Sequence, residues 1–395
     1  MWFLVITAVL VTFALAAAVL AAVRRKNMGY WLPAYLKMLP RTETPNADEP
    51  LHVFLAVCDH WEPQLGGAPE SVAMEKVENW VREYPRKYAG FCDSNGRPPQ
   101  HTFFYPAEEY RPEYLDRVAE LCRAGFGDVD IHLHHDNDTA AGLEDKLEEF
   151  RQTLFYRHGL LRRDPSTGNI VYGFIHGNWA LCNSRPDGSL CGVDQEISVL
   201  MKTGCYADFT MPSAPSSTQT RIINSIYYAR DIPGRRKSHD KGTLAVVGKP
   251  APNDHLLFIQ GPLMLDWQHR RKGIIPRIEN GDVTGGRAMS MLRLQQWLRA
   301  GVHVKGQPNW RFIKLHTHGC NDANMKAWLG DEMQQFHRDL RAMTDADRRL
   351  RFHYVTAWEM AQLVHQAETG ASEPVIGSPM KIAVTAPPPP ARDAG

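Results

Sequence analysis

Apolar and polar positions change their pattern along the chain. From Trp2 to Val23 the residues carry no charge, a run close to the roughly 20 residues a helix needs to cross a bilayer core. Beyond it, short apolar runs alternate with amphipathic stretches, which predicts parallel strands joined by helices. Strands are expected at Leu51–Cys58, His101–Tyr105, Val129–Leu133, Ile170–Ile175, Tyr206–Met211, His255–Ile259, Trp310–Leu315 and Phe352–Val355. Helical spacing relates Leu115, Val118 and Leu121, and again Leu143, Leu147, Phe150 and Leu154. Cys182–Gly192 and Pro233–Asp254 have no period and are rich in turn-forming residues, so they read as loops near the site or on its rim.

These patterns divide the chain into an apolar anchor (1–23), a juxtamembrane segment (24–48), an α/β domain (49–368) and a Pro/Ala-rich tail (369–395) expected to be disordered. The anchor lacks a basic segment before it and a marked cleavage region after it, which favours a retained transmembrane helix over a signal peptide. Arg24, Arg25 and Lys26 follow it directly, so the positive-inside bias puts the domain on the cytoplasmic side. Between Gly29 and Pro40 aromatic and aliphatic residues mix with few charges, which suits either the membrane interface or packing onto the domain.

The residues that follow the strands decide the architecture. Asp59-His-Trp-Glu follows the first expected strand, Ala107-Glu-Glu the second, and His132-Leu-His-His-Asp-Asn-Asp the third. His176-Gly-Asn-Trp, Asp208 and His316-Thr-His mark later ones. Ionisable groups gathered at strand C-terminal ends point to a (β/α) barrel, where those ends share one face. An open doubly wound sheet would gather them only at a switch point.

A hydrophobic content of 43% over 395 residues excludes general disorder, and a net charge of +1 argues against nucleic acid as a partner. Cysteines at 58, 92, 122, 182, 191, 205 and 320 are odd in number and show no CxxC pair, which suits a reducing compartment.

In an extended segment His132, His134 and Asp136 share one face, with His135 turned the other way, and two imidazoles with a carboxylate suit zinc or another divalent ion. His316 and His318 repeat the spacing, one fit to bind metal and the other to move a proton. Asp59 is a candidate base or ligand, His60 a ligand, Glu62 lies close by, and Trp61 is either a sugar platform or a buried aromatic. His176, Asn178, Trp179 and Asp208 could line a polar substrate pocket. Asn224, Tyr227 and Tyr228 read as a helix face, and the basic loop Gly234–Gly242 as either a phosphate contact or a solvated loop.

This constellation resembles the polysaccharide deacetylases of carbohydrate esterase family 4, over roughly Leu51 to His365 and as scattered short motifs. The resemblance implies a distorted (β/α)7 barrel and a divalent metal, most simply Zn2+. It implies hydrolysis of N-acetyl groups on a cell-envelope or exopolysaccharide sugar, whether polymeric or lipid-linked. It maps the base onto Asp59, ligands onto His60, His132 and Asp136 with His134 as substitute, and the acid onto His316 of Leu315-His316. Members of that family often work outside the membrane, which keeps an outward-facing domain open. The departures are His60 and Asp136, which stand where that family has an aspartate and a histidine, and Asp208-Phe-Thr-Met-Pro-Ser, where its arginine motif has no clean counterpart. They leave two rival expectations: a glycoside hydrolase on a related barrel, and a catalytically inactive sugar-binding component of a polysaccharide-assembly complex.

Overall fold

The computed structural model describes residues 2–38 and 43–377, so the expected tail beyond Gly377 and residues 39–42 of the juxtamembrane segment lie outside the described residues. The apolar run folds as α1 (Trp2–Arg25), long and apolar enough to cross a membrane and burying none of that surface in the protein. Arg24 and Arg25 in its last turn complement the helix dipole. A short α2 (Leu32–Met38) then settles on the domain. Trp31 and Tyr35 are buried among Ala214, Ile223, Leu263, Met264 and Ala300, and the Asn27 amide donates to the Pro215 carbonyl at 2.9 Å. Of the two readings of this segment, packing onto the domain is the one observed.

The domain then runs β1 (Leu51–His60), α3 (Glu70–Tyr88), β2 (His101–Pro106), α4 (Pro112–Arg123), β3 (Gly127–Leu133), α5 (Ala140–Gln152), β4 (Arg162–Arg163), β5 (Ile170–His176), α6 (Glu196–Lys202) and β6 (Cys205–Asp208). It continues through β7 (Ile226–Ala229), β8 (Thr243–Leu244), β9 (Leu256–Ile259) and the hairpin β10 (Met264–Arg271) with β11 (Ile275–Glu279). After these come α7 (Met291–Ala300), β12 (Trp310–Thr317), α8 (Asp322–Trp328), α9 (Asp331–Ala346), β13 (Leu350–Tyr354) and α10 (Ala357–Glu368). Every strand expected from the pattern forms. β6 ends before the expected Met211, because the Asp208 carboxylate accepts the Thr210 N–H at 3.0 Å and draws the chain out of the ladder.

Strand order in the main sheet is β12-β1-β2-β3-β5-β6-β9-β7-β8, with β13 beside the first half of β1 and β4 beside β5. Pairs from β12 through β9 are parallel, and β7, β8 and β4 are antiparallel additions. The central strands are buried on both faces, as parallel sheets require. Alternation on β1 shows the two sides. Val53, Leu55 and Val57 join the helix-covered core, while Phe54, Ala56 and Cys58 face an inner cluster filled by Met360, Ala361, Leu363, Val364 and Ala367 of α10.

A closed (β/α)7 barrel is not what the described strands form. No ladder joins β9 to β12. Instead Gly261 lies against Lys314, so closely that a Cβ there would overlap its carbonyl oxygen, and residues 281–283 bridge to His316 on both sides. β9 ends at Ile259, and the chain passes through Gly261 and Pro262 into the β10–β11 hairpin, which pairs only with itself. The result is a mixed α/β domain with a large, mostly parallel sheet whose interior is plugged by a helix.

Candidate metal centre

The alternation that separates the faces of β1 also separates Asp59 from His60. His60 and Glu62 continue the inner face of Phe54, Ala56 and Cys58. Asp59 and Trp61 continue the helix-covered face. Asp59 there accepts from His101 Nε2 at 2.8 Å and from the Gly319 N–H at 2.6 Å, fully buried beneath Trp80. Both its oxygens are thus engaged on the face of β1 opposite His60, which argues against the role of base expected for it. Trp61 is fully buried against Phe103 and Tyr105, so it is a core aromatic and not a sugar platform.

On the inner side the ends of β1, β3 and β12 converge. The His60 ring lies 4.7 Å from those of His132 and His318 and 6.3 Å from that of His316. His132 gives its Nδ1 hydrogen to the Ile175 carbonyl at 2.9 Å, since a carbonyl can only accept. In the neutral ring Nε2 then carries a lone pair, yet it faces Glu62 Oε1 at 3.1 Å. His134 repeats the arrangement, with Nδ1 on Glu108 and Nε2 at 3.3 Å from the same Glu62 oxygen. Two acceptors facing each other need a cation between them, a proton or a metal ion. Metal-ligating histidines are held in this way, one nitrogen on an outer carbonyl or carboxylate and the other turned inward.

The ligand atoms form two sets that share Glu62: His60, Glu62 and His318, and Glu62, His132 and His134. His60 Nε2 and Glu62 Oε2 are buried with no hydrogen-bond partner, the orphaned atoms expected where a metal ion belongs. Burial, then the neighbouring His318, His132 and His316, keeps the His60 pKa well below its ordinary value. Burial alone would raise Glu62, but the His132 hydrogen bond and the surrounding imidazoles outweigh it and hold the carboxyl below the usual range. An imidazole held neutral at His60 beside an ionised Glu62 suits a divalent cation.

The remaining expected site residues lie as follows. Asp136 is exposed and accepts from the N–H groups of Asn137 and Leu190, at 3.0 and 2.6 Å, so it shapes a turn and is not a ligand beside His132. Asp208 is buried on Thr210, with its carboxyl pushed up to about 7 by burial. His176 is fully buried beside His135 and Glu196. Asn178 is exposed, whereas Trp179 reaches over the centre, its ring 5.7 Å from His60 and 5.9 Å from His318. Both have φ of 55°, a conformation costing a bulky residue about 1–3 kcal/mol and retained where surrounding structure imposes it. Tyr227 and Tyr228 lie in β7 and not on a helix. The basic loop turns Arg236 onto the Asn183 carbonyl and Lys237 onto those of Ser217 and Gln219, with Lys237 over the Tyr30 ring.

A cavity of about 280 Å³ opens beside the centre, lined by Trp179, Ser213, Ser216, Asp282, His316 and His318, with Asn280 and Thr284 completing its polar wall. Burial, then Lys314 and His318, lowers His316, while burial raises Asp282, which is bridged to the His316 backbone. The sequence pattern does not single out Asp282, Asn280 or the outer role of Glu108. Glu108 at least follows a strand end, but Asp282 lies after a hairpin with no periodic signal. No protein-family model matches the chain, and no curated protein matches it.

Proposed function

We propose that the chain is a membrane-anchored, metal-dependent hydrolase that removes an acyl group, in the first instance N-acetyl, from a cell-envelope or exopolysaccharide sugar. The observation that carries this reading is the aim of His132 and His134 at one unprotonated carboxylate, Glu62, with His60 and His318 completing the donor set beside a polar cavity. Three or more imidazoles with a carboxylate are a donor set for zinc or a similar divalent ion. Such an ion polarises a carbonyl and lowers the pKa of water from ~16 towards ~7. The protein's own groups do the rest. Trp179 offers an indole face to a sugar ring, and Ser213, Ser216 and Asn280 offer hydroxyls and an amide for its polar edge. His316 takes the proton of the attacking water as the C–O bond forms and passes it to the nitrogen as the C–N bond breaks, beside the Asp282 carboxylate. Asp59, held by His101 on the other face of β1, supports the strand end. In this reading the domain derives from a (β/α) barrel opened between β9 and β12.

The test is acetate release from N-acetylated oligosaccharides or glycolipids by the full chain in detergent. Glu62→Gln and His132→Ala should each abolish release and reduce bound metal while circular dichroism stays unchanged. Shortening of the sugar chain without acetate would favour a glycoside hydrolase. Retained sugar binding with neither product would favour a non-catalytic component of an assembly complex.

A further inference from the structure

Beyond the ends of β3 and β5 lies a second cluster that the proposed chemistry does not use. We propose that His135, His176, Cys191 and Glu196 form a closed structural metal site that takes zinc or a similar thiolate-binding divalent ion. The inference rests on this cluster's own geometry and is independent of the catalytic reading.

All of these residues are buried, and their ligand atoms lie within 4.8 Å of one another. Glu196 Oε1 is 3.4 Å from His135 Nε2 and 3.5 Å from His176 Nε2, while its Oε2 is 3.4 Å from Cys191 Sγ. The two histidine separations, both to Oε1, are long for charge-assisted hydrogen bonds, which lie at about 2.7–2.9 Å. They match the edges of a tetrahedron, about 3.3–3.8 Å for bonds of about 2.0–2.3 Å to zinc.

The outer partners agree. His176 Nδ1 is tied to the Gly177 carbonyl, which leaves the lone pair of Nε2 turned towards Glu196 and without a hydrogen-bond partner. His135 Nε2 points inward to Glu196, while its Nδ1 lies 3.3 Å from Asp138 Oδ2 without a hydrogen bond. Cys191 Sγ accepts the N–H groups of Asn183 and Val193 at 3.2 and 3.4 Å, the donors a thiolate requires. Among the described residues no lysine or arginine bonds the Glu196 carboxylate, and its remaining partner is the Cys182 N–H at 2.6 Å. A buried carboxylate costs several kcal/mol unless a cation offsets it, and here the groups beside it are the His135 and His176 imidazoles.

Placement gives the site a purpose. His135 follows β3, His176 ends β5, Cys191 closes the loop 182–192 and Glu196 opens α6. One ion would therefore join two strand ends, an aperiodic insertion and a helix. Trp179 lies between two of the ligands in sequence, so the site also fixes the indole over His60 and His318. With four protein ligands no position remains open, which is the structural and not the catalytic class of zinc site.

The experiment measures metal in the detergent-solubilised full chain, grown with zinc and dialysed against a weak chelator. In a Glu62→Gln, His132→Ala background roughly one equivalent per chain should remain, and adding Cys191→Ser should remove it. After cobalt exchange that background should show a thiolate-to-cobalt charge-transfer band, lost in Cys191→Ser. Cys191→His, which keeps a ligand and guards against misfolding of the serine variant, should hold the metal without the band. A folded background chain with no tightly held metal would overturn the proposal, as would a cobalt spectrum indifferent to Cys191. Failure of the first centre reads out separately, because its donors include no thiol.

Discussion

Asp59 and Asp208 are buried carboxylates with opposite circumstances. Asp59 bonds a buried imidazole and a backbone N–H, and leaving such buried donors unsatisfied costs about 1–3 kcal/mol each. Asp59→Ala should therefore lower the urea midpoint by that equivalent, with His101→Ala overlapping it in a double-mutant cycle, because the two share one interaction. For Asp208 the bonds from Thr210 and the charge of Lys314 do not offset its burial, and its folded pKa of about 7 stands above the ordinary 3.8. The folded state thus binds the proton more tightly. Its contribution is present in full below pH 3.8 and is lost as pH rises through about 7. Asp208→Asn should accordingly gain in Tm relative to the parent between pH 5 and pH 8, read by calorimetry at each pH. A constant difference across that range would show that Asp208 does not titrate there.

At the scale of elements, α10 replaces what a closed barrel would hold. Its buried face, with the Thr356 and Glu359 capping box at its start, fills the concave side of the sheet. Leu363→Ala should cost about 2–5 kcal/mol by chemical denaturation, since a buried leucine is deleted from a packed interior. Thr356→Ala should cost about 1 kcal/mol through loss of the cap. The strands are legible in the sequence because runs such as Val53–Cys58 and Phe103–Tyr105 are buried on both faces, and a short, continuous apolar run with polar ends is the mark of a strand covered on both sides. Tyr227 and Tyr228 are not legible as a strand, because Asn224 and the hydroxyl-rich stretch before them resemble a helix start, while the cross-strand partners that hold them lie in β9 and β8. The candidate metal cluster is legible in its histidines and not in its division of labour. Period-two alternation places Asp59 opposite His60, but which face of β1 meets the other histidines is decided only when β3 and β12 come to lie around it. Asp136 departs from expectation for a local reason: the extended geometry ends at Leu133, and the turn beyond carries it away.

The whole molecule joins a membrane-length helix to this site by a short path. Trp31 is fully buried in the domain, and Asn27 holds the carbonyl of Pro215, itself part of the cavity wall. Trp31→Ser should loosen that coupling. On the proposed activity, turnover of a lipid-linked substrate in vesicles should fall relative to turnover of a free oligosaccharide, compared by acetate release. A reporter fused to the C-terminus should read out on the cytoplasmic side if the arginines after α1 set the topology. With α1 in a bilayer, the docked α2 makes the membrane a ruler. The cavity is held at one height, so on the proposed activity a substrate carried on lipid would meet it in a two-dimensional search, whereas one in bulk solution would have to find it in three.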